Sequence, residues 1–188
     1  MAKNYRNWAL SVVVTLVTFT GCYFLGRHFG FSSFVFSWVL NFALMSWITM
    51  VIALLNPAFE SDYFTPKPFE RDGKVYTYAG VHLYRKLLVW VGWEKLNKAT
   101  NPVKKDVTAL HTCERSSRKS EAGHVMIALV VFAVAAVFTP SLGEAKWLIL
   151  LNVLFNIFPV MVQRYNRPRY LRVLSVMQRK RAAQPFIH

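Results

Sequence analysis

Cysteine is scarce in this chain: Cys22 and Cys113 are too few for a disulfide framework, and neither belongs to a CxxC pair. Acid is nearly as scarce, with nine Asp and Glu against 23 Lys and Arg, a net charge of +14. Charge of either sign makes up only 17% of the 188 residues, whereas 54% are apolar and 15% aromatic. A basic nucleic-acid-binding domain would carry more charge and fewer aromatics, and the aromatic content excludes a disordered chain. No internal repeat or low-complexity tract is present, which argues against collagen, a coiled coil or an inverted-repeat transporter. A small membrane protein with its basic residues in the loops satisfies these constraints.

A bilayer core of ~30 Å takes roughly 20 mostly apolar helical residues to cross. Four runs qualify, at about 8–26, 31–55, 123–139 and 145–162. The first has a competing reading as a cleaved leader, because Lys3 and Arg6 precede it and Thr20-Gly21-Cys22 supplies small residues. Tyr23-Phe24-Leu25 keeps the run apolar beyond that point, so a retained helix is expected. The fold class predicted is an all-α integral membrane protein, one membrane domain over 1–188, with four transmembrane helices in two hairpins. Of the 23 Lys and Arg, all but Arg27 and Lys146 then fall on one side, in the N-tail, the segment 57–122 and the basic C-terminal tail 163–188. By the positive-inside rule both termini are expected in the cytoplasm of a multi-pass cell-membrane protein.

The segment 57–122 holds eight of the nine acidic residues. Pro57, Pro66 and Pro68 favour extended backbone. Arg71-Asp72-Gly73-Lys74 predicts a turn between Phe69 and Val75–Tyr78, as a short hairpin or hooked loop. From Val81 to Leu96 apolar residues recur at helical spacing (Leu83, Leu87, Trp90, Val91) among basic ones, which predicts an interfacial amphipathic helix.

Asp106-Val107-Thr108 can cap a helix that runs straight into the third span. Glu114, Arg118, Glu121 and His124 fall on one face of it. Glu121 and His124 stand at the membrane edge, where ionisable groups are costly and mark function. A Glu beside a His can orient the imidazole and stabilise its charged form, leaving it to take a proton from a hydroxyl. Glu-x-x-His is also a metal-ligand spacing, with His82 and His111 as additional donors, although the second such motif and the further carboxylates of a di-iron bundle are missing. Past the fourth span comes Gln163-Arg164-Tyr165-Asn166-Arg167-Pro168-Arg169. Arginine offers paired donors to phosphate or carboxylate, and amides can orient a hydroxyl or carbonyl. If the third and fourth spans pack together, this strip lies near Glu121 and His124, suited to an acyl thioester of coenzyme A or an anionic headgroup.

Four stretches carry a resemblance: Phe69-Glu70-Arg71-Asp72-Gly73-Lys74, Tyr84-Arg85-Lys86-Leu87, Glu121-Ala122-Gly123-His124 and Val162–Arg169. In this order, over roughly 66–169, the chain resembles the glycosyl-4,4'-diaponeurosporenoate acyltransferase family, which acylates a sugar in staphyloxanthin-type carotenoid biosynthesis. The resemblance implies an integral-membrane O-acyltransferase, with Glu121 and His124 as the matching catalytic candidates. The reading adopted combines both lines. His124 is the general base, Glu121 orients it, and Arg118, Gln163, Arg164, Tyr165, Asn166, Arg167 and Glu70 bind or frame the substrate. The expected co-substrate is acyl-CoA or an acyl-carrier thioester, with no bound cofactor or metal. The expected partners are membrane lipids, a lipid-like acceptor and the acyl donor, and no nucleic acid. Two alternatives stay open: a metal-dependent lipid-modifying enzyme using Glu121 and His124 as ligands, and a non-catalytic protein that binds anionic lipid.

Overall fold

A computed structural model describes residues 2–92 and 107–183; every structural statement below concerns these. They are helical and contain no strand. The elements are α1 (Ala2–Phe29), α2 (Phe34–Leu55), α3 (Lys74–Tyr78), α4 (Val81–Trp90), α5 (Val107–Phe138), α6 (Lys146–Asn152) and α7 (Phe158–Ala183). A π-helical turn, Val153–Ile157, joins α6 to α7. Four stretches are long and apolar enough to cross a membrane: Asn4–Phe29, Phe34–Leu55, Val107–Phe138 and Lys146–Arg179. The chain divides into two compact units, Met1–Ala58 with Ala122–Pro159, and Phe59–Glu121 with Val160–His188.

The first unit is built as lipid requires. Its interior face is a file of buried side chains on α2 (Phe36, Leu40, Leu44, Trp47, Ile48) against Ile127, Val131 and Ala135 of α5 and Leu148 of α6. The outward faces are no less apolar: Val12, Val13, Leu16 and Val17 of α1 are more than half exposed, apart from none of them carrying a polar atom on its side chain. In water such a continuous belt would aggregate, whereas lipid solvates it. Gly123 of α5 faces Ile48 and Ile52 of α2, where a Cβ would meet them at ordinary contact distance, 3.6–3.7 Å. Hydrogen bonds add direction to a contact that apolar packing leaves loose. Trp47 Nε1 donates to Thr15 Oγ1 at 2.9 Å, and Asn7 Nδ2 donates to the Leu54 carbonyl at 2.9 Å. Ser33 caps α2 by accepting from the Phe36 N–H, and Asn56 closes it in a left-handed conformation before Pro57.

In the second unit the short hairpin or hooked loop expected at 69–78 is a chain reversal between helical turns, without strands. Pro68–Gly73 winds as a tight 3₁₀ segment and Lys74–Tyr78 is α3. Arg71, Asp72 and Gly73 take positive φ in succession (45°, 56° and 85°), so the chain reverses without strand pairing. The helix expected over 81–96 is α4, Val81–Trp90, and the end of that range lies outside the described residues, as does Asp106. Val81 and Tyr84 are its buried residues, while Leu83 and Trp90 are 74% and 84% exposed. The stretch 163–183, expected as a tail, is instead the body of α7, continuous through Pro168. That proline lacks the N–H that would reach the Arg164 carbonyl.

Gly73 decides how the reversal meets α7. A Cβ at this position would stand 2.9 Å from the Tyr165 carbonyl oxygen, on a backbone already at φ +85°. Gly73→Ala is expected to destabilise the protein by about 1–2 kcal/mol from backbone conformation alone, with the clash in addition. Thermal unfolding of the purified, detergent-solubilised variant checks this, and an unchanged midpoint would refute it.

Candidate functional site

The second unit buries two carboxylates and two guanidinium groups together. Glu121 of α5 is fully buried, and Arg167, Glu70 and Arg164 are nearly so. Arg164 Nε donates to Glu121 Oε1 at 2.6 Å and its Nη1 to Glu70 Oε1 at 2.8 Å, while Nη2 donates to the Tyr63 carbonyl at 2.8 Å. Arg167 Nη2 stands 2.5 Å from Glu121 Oε2, an ion pair poorly aligned as a hydrogen bond, and its Nη1 donates to the Phe64 carbonyl at 3.1 Å. Each guanidinium also lies over a ring of one short 3₁₀ turn, Asp62–Phe64, with Arg164 over Tyr63 and Arg167 over Phe64. Glu70 is completed by the Tyr76 hydroxyl at 2.6 Å and the Lys67 N–H at 2.8 Å. Burial raises the Glu70 pKa, but these donors and Arg164 outweigh it and hold the carboxyl below its ordinary value. Burial, and then the charge of Glu70, push the Tyr76 phenol up.

The four charges cancel, and most of their donors and acceptors are taken up internally. Charges this deep are tolerated only when so paired. Arg164 and Arg167, expected to hold substrate, are turned inward onto Glu121 and Glu70. The other expected ligands are distributed around this cluster. Arg118 Nε donates to Glu114 at 2.6 Å rather than to Glu121, and Gln163 Nε2 donates to Ser120 Oγ at 3.2 Å. Tyr165 is buried under Arg169, with Arg85 further from the ring and His82 at its edge. Asn166 is half-buried.

His124 belongs to the first unit, and its partner there is an amide. The orienting place expected for Glu121 is taken by Asn156, whose Oδ1 lies 3.2 Å from His124 Nδ1. The physical reason is that both Glu121 oxygens are committed to arginines. Asn156 stands on the π-helical turn between α6 and α7, a local widening that recurs at functional sites. Together with Asn152 and Asn41 it forms a buried polar cluster inside apolar spans. The sequence reading passed over all three. Their signal was present as lone amides in otherwise charge-free apolar runs, two of them spaced i, i+4 on one helical face.

The directions of these bonds follow from two backbone carbonyls. Asn41 Nδ2 donates to the Ser37 carbonyl at 2.8 Å, and Asn152 Nδ2 donates to the Ala128 carbonyl at 3.1 Å. A carbonyl can only accept, so both side chains must turn their oxygens the other way. Asn156 Nδ2 donates to both of those oxygens, at 2.7 Å (Asn41) and 2.9 Å (Asn152). Its own oxygen is thereby left facing His124, and it too can only accept. Nδ1 must therefore carry the proton, and in the neutral ring Nε2 holds the lone pair. The amide geometry therefore leaves Nε2 as the accepting nitrogen of the neutral ring.

Among the described residues no three His, Cys, Asp or Glu side chains group as metal ligands would. The arginine–carboxylate cluster is expected to govern stability. Arg164→Ala leaves Glu70 and Glu121 short of a shared cation and should cost about 3–5 kcal/mol, read by unfolding in detergent. Because the Glu70 pKa is lowered on folding, its contribution is present above the ordinary value of 4.5 and lost as pH falls through the folded value. The stability difference between wild type and Glu70→Gln should accordingly shrink on acidification below that point. A difference independent of pH would refute the assignment.

No curated protein and no solved structure gives a significant match to this chain. A family model described as glycosyl-4,4'-diaponeurosporenoate acyltransferase matches residues 60–176, well over half of the chain. That stretch includes Glu70, Glu121, His124, Asn152, Asn156, Arg164 and Arg167. The chain belongs to the glycosyl-4,4'-diaponeurosporenoate acyltransferase family.

Proposed function

We propose that this acyltransferase moves a fatty acyl group from an activated thioester, of coenzyme A or a carrier protein, to a hydroxyl of a glycosylated, carotenoid-like lipid. His124 is the general base. The acceptor hydroxyl gives its proton to Nε2 as its oxygen bonds to the thioester carbonyl carbon. The tetrahedral adduct then collapses by breaking the C–S bond, and the departing sulfur takes the proton back from the imidazolium. Asn156 holds the ring and its tautomer throughout. The observation that carries this reading is the amide relay anchored on the Ser37 and Ala128 carbonyls, which leaves Nε2 as the basic nitrogen.

A neutral amide suits this position in lipid. Like the asparagine of Cys-His-Asn enzymes, it orients imidazole without adding a buried charge that would need its own cation. The placement of Lys and Arg supports cytoplasmic termini in a cell membrane, with α4 lying on the membrane surface by its exposed Leu83, Leu87 and Trp90.

His124→Ala should lower acyl transfer by about 10²–10⁴-fold while the protein remains folded in the membrane. Asn156→Leu should lower kcat by about 10–100-fold with KM little changed, because the ring loses its orienting acceptor. The check is a time course of acylated glycolipid, by mass analysis of extracts from membranes carrying each variant and supplied with glycosylated acceptor and acyl thioester. Near-normal turnover in His124→Ala would remove the mechanism.

A further inference from the structure

The first unit holds a partly open cavity of about 220 Å³ among α1, α2 and α5, apolar where the relay is polar. Its walls include Cys22 of α1, Leu40 and Leu44 of α2, and Val130 and Val134 of α5. Apolar cavities smaller than this, about 150 Å³, stay dry and take up apolar guests. Of the other wall residues, Phe19, Tyr23 and Phe138 are 39%, 47% and 40% exposed, so the cavity opens sideways where lipid solvates the unit.

One end is closed by a deliberate-looking arrangement of rings. Phe31 stacks on Phe138 with centroids 4.4 Å apart and planes within 14°, and meets Phe36 edge-on. Phe31 reaches this place only because residue 26 is glycine: a Cβ there would fall 2.2 Å from the ring. Two helices carry both cavity-lining residues and residues of the polar relay. On α2, Leu40 and Leu44 flank Asn41 of the relay within one turn. On α5, Val130 follows His124 by six residues, a rise of ~9 Å, and Phe138 by fourteen, ~21 Å.

We infer that this cavity receives the acyl chain of the thioester donor and that Phe31 ends it, setting the chain length transferred. The inference rests on the acyl-transfer reading above. A donor whose carbonyl is attacked at His124 has its chain directed along α5, between walls that offer dispersion contacts and no hydrogen-bonding demand. A flexible saturated chain can follow such a pocket and stop at the stacked rings, and each methylene added past that stop has to displace them.

The full-length enzyme in nanodiscs is assayed with acyl-CoA donors from octanoyl to stearoyl. Val134→Phe, which fills the cavity, should lower the long-to-short rate ratio by about tenfold. Phe31→Ala, which removes the stop, should raise the relative rate of the longest donor. Equal scaling at every chain length in both variants would overturn the proposal. A second readout needs no turnover: palmitoyl-CoA bearing a terminal diazirine is photolysed with the His124→Ala protein. Adducts should map to Phe19–Phe31 and Val130–Phe138, be competed by palmitoyl-CoA but not by phosphatidylglycerol, and vanish in the Val134→Phe, His124→Ala double variant. Adducts spread over lipid-facing Val12, Leu16 and Leu129, or competition by phospholipid, would overturn it. Specific labelling of the His124→Ala protein together with near-normal acyl transfer by it would instead leave the cavity assignment standing and remove the function proposed for His124.

Discussion

Away from water, a polar group must find a partner of the right kind within the protein, and this requirement gives the buried polar clusters of both units their form. In the first unit it acts through direction. Amides have a donor end and an acceptor end, and once two are pinned by backbone carbonyls the rest of the chain of bonds has no freedom left. The consequence passes from Ser37 and Ala128, through three asparagines, to the proton on one nitrogen of His124. In the second unit it acts through charge. Two carboxylates and two guanidiniums neutralise one another, and the carbonyls of Tyr63 and Phe64 take up arginine donors left over.

Glu121 and His124, three residues apart on α5, look like a catalytic dyad and are used separately. A carboxylate against imidazole would strengthen the base, but it would also place a full charge in apolar surroundings, to be balanced by the imidazolium only during the reaction. Pairing Glu121 permanently with Arg164 and Arg167 removes that difficulty, and giving His124 an amide partner avoids it altogether. On the reading proposed here, stability and chemistry fall to different neighbours.

The spans were legible because charge-free runs of this length have few alternatives, and the helix expected to run from Thr108 into the third span is α5. The roles of the arginines after the fourth span were not legible. An Arg-rich strip reads as free donors when its partners are invisible, and Glu70 lies 94 residues from Arg164 in sequence. The reversal at Arg71–Gly73 was read as a turn, correctly in place, but three successive left-handed residues lead into helix and not into a strand. The asparagines were missed for a different reason: averaging hydropathy over a span hides a single amide, although its cost inside lipid makes it the most informative residue there. The π-helical turn that aims Asn156 has no sequence signature comparable to a cap or a proline.

The family match begins at residue 60, after α1 and α2. Asn41 therefore lies outside it, yet the relay does not depend on Asn41 alone. The path from the Ala128 carbonyl through Asn152 to Asn156 runs wholly within the matched stretch and is sufficient to turn the Asn156 oxygen toward His124. Asn41 adds a second, independent constraint from α2. The cavity is divided differently, since most of its walls come from α1, α2 and the residues joining them, and only Val130, Val134 and Phe138 from α5. On the reading proposed here, the proton-transfer chemistry is complete without the N-terminal helices, whereas the fit to a hydrocarbon chain depends on them. Substitutions in α1 and α2 can then alter which chain is transferred without touching the base that transfers it.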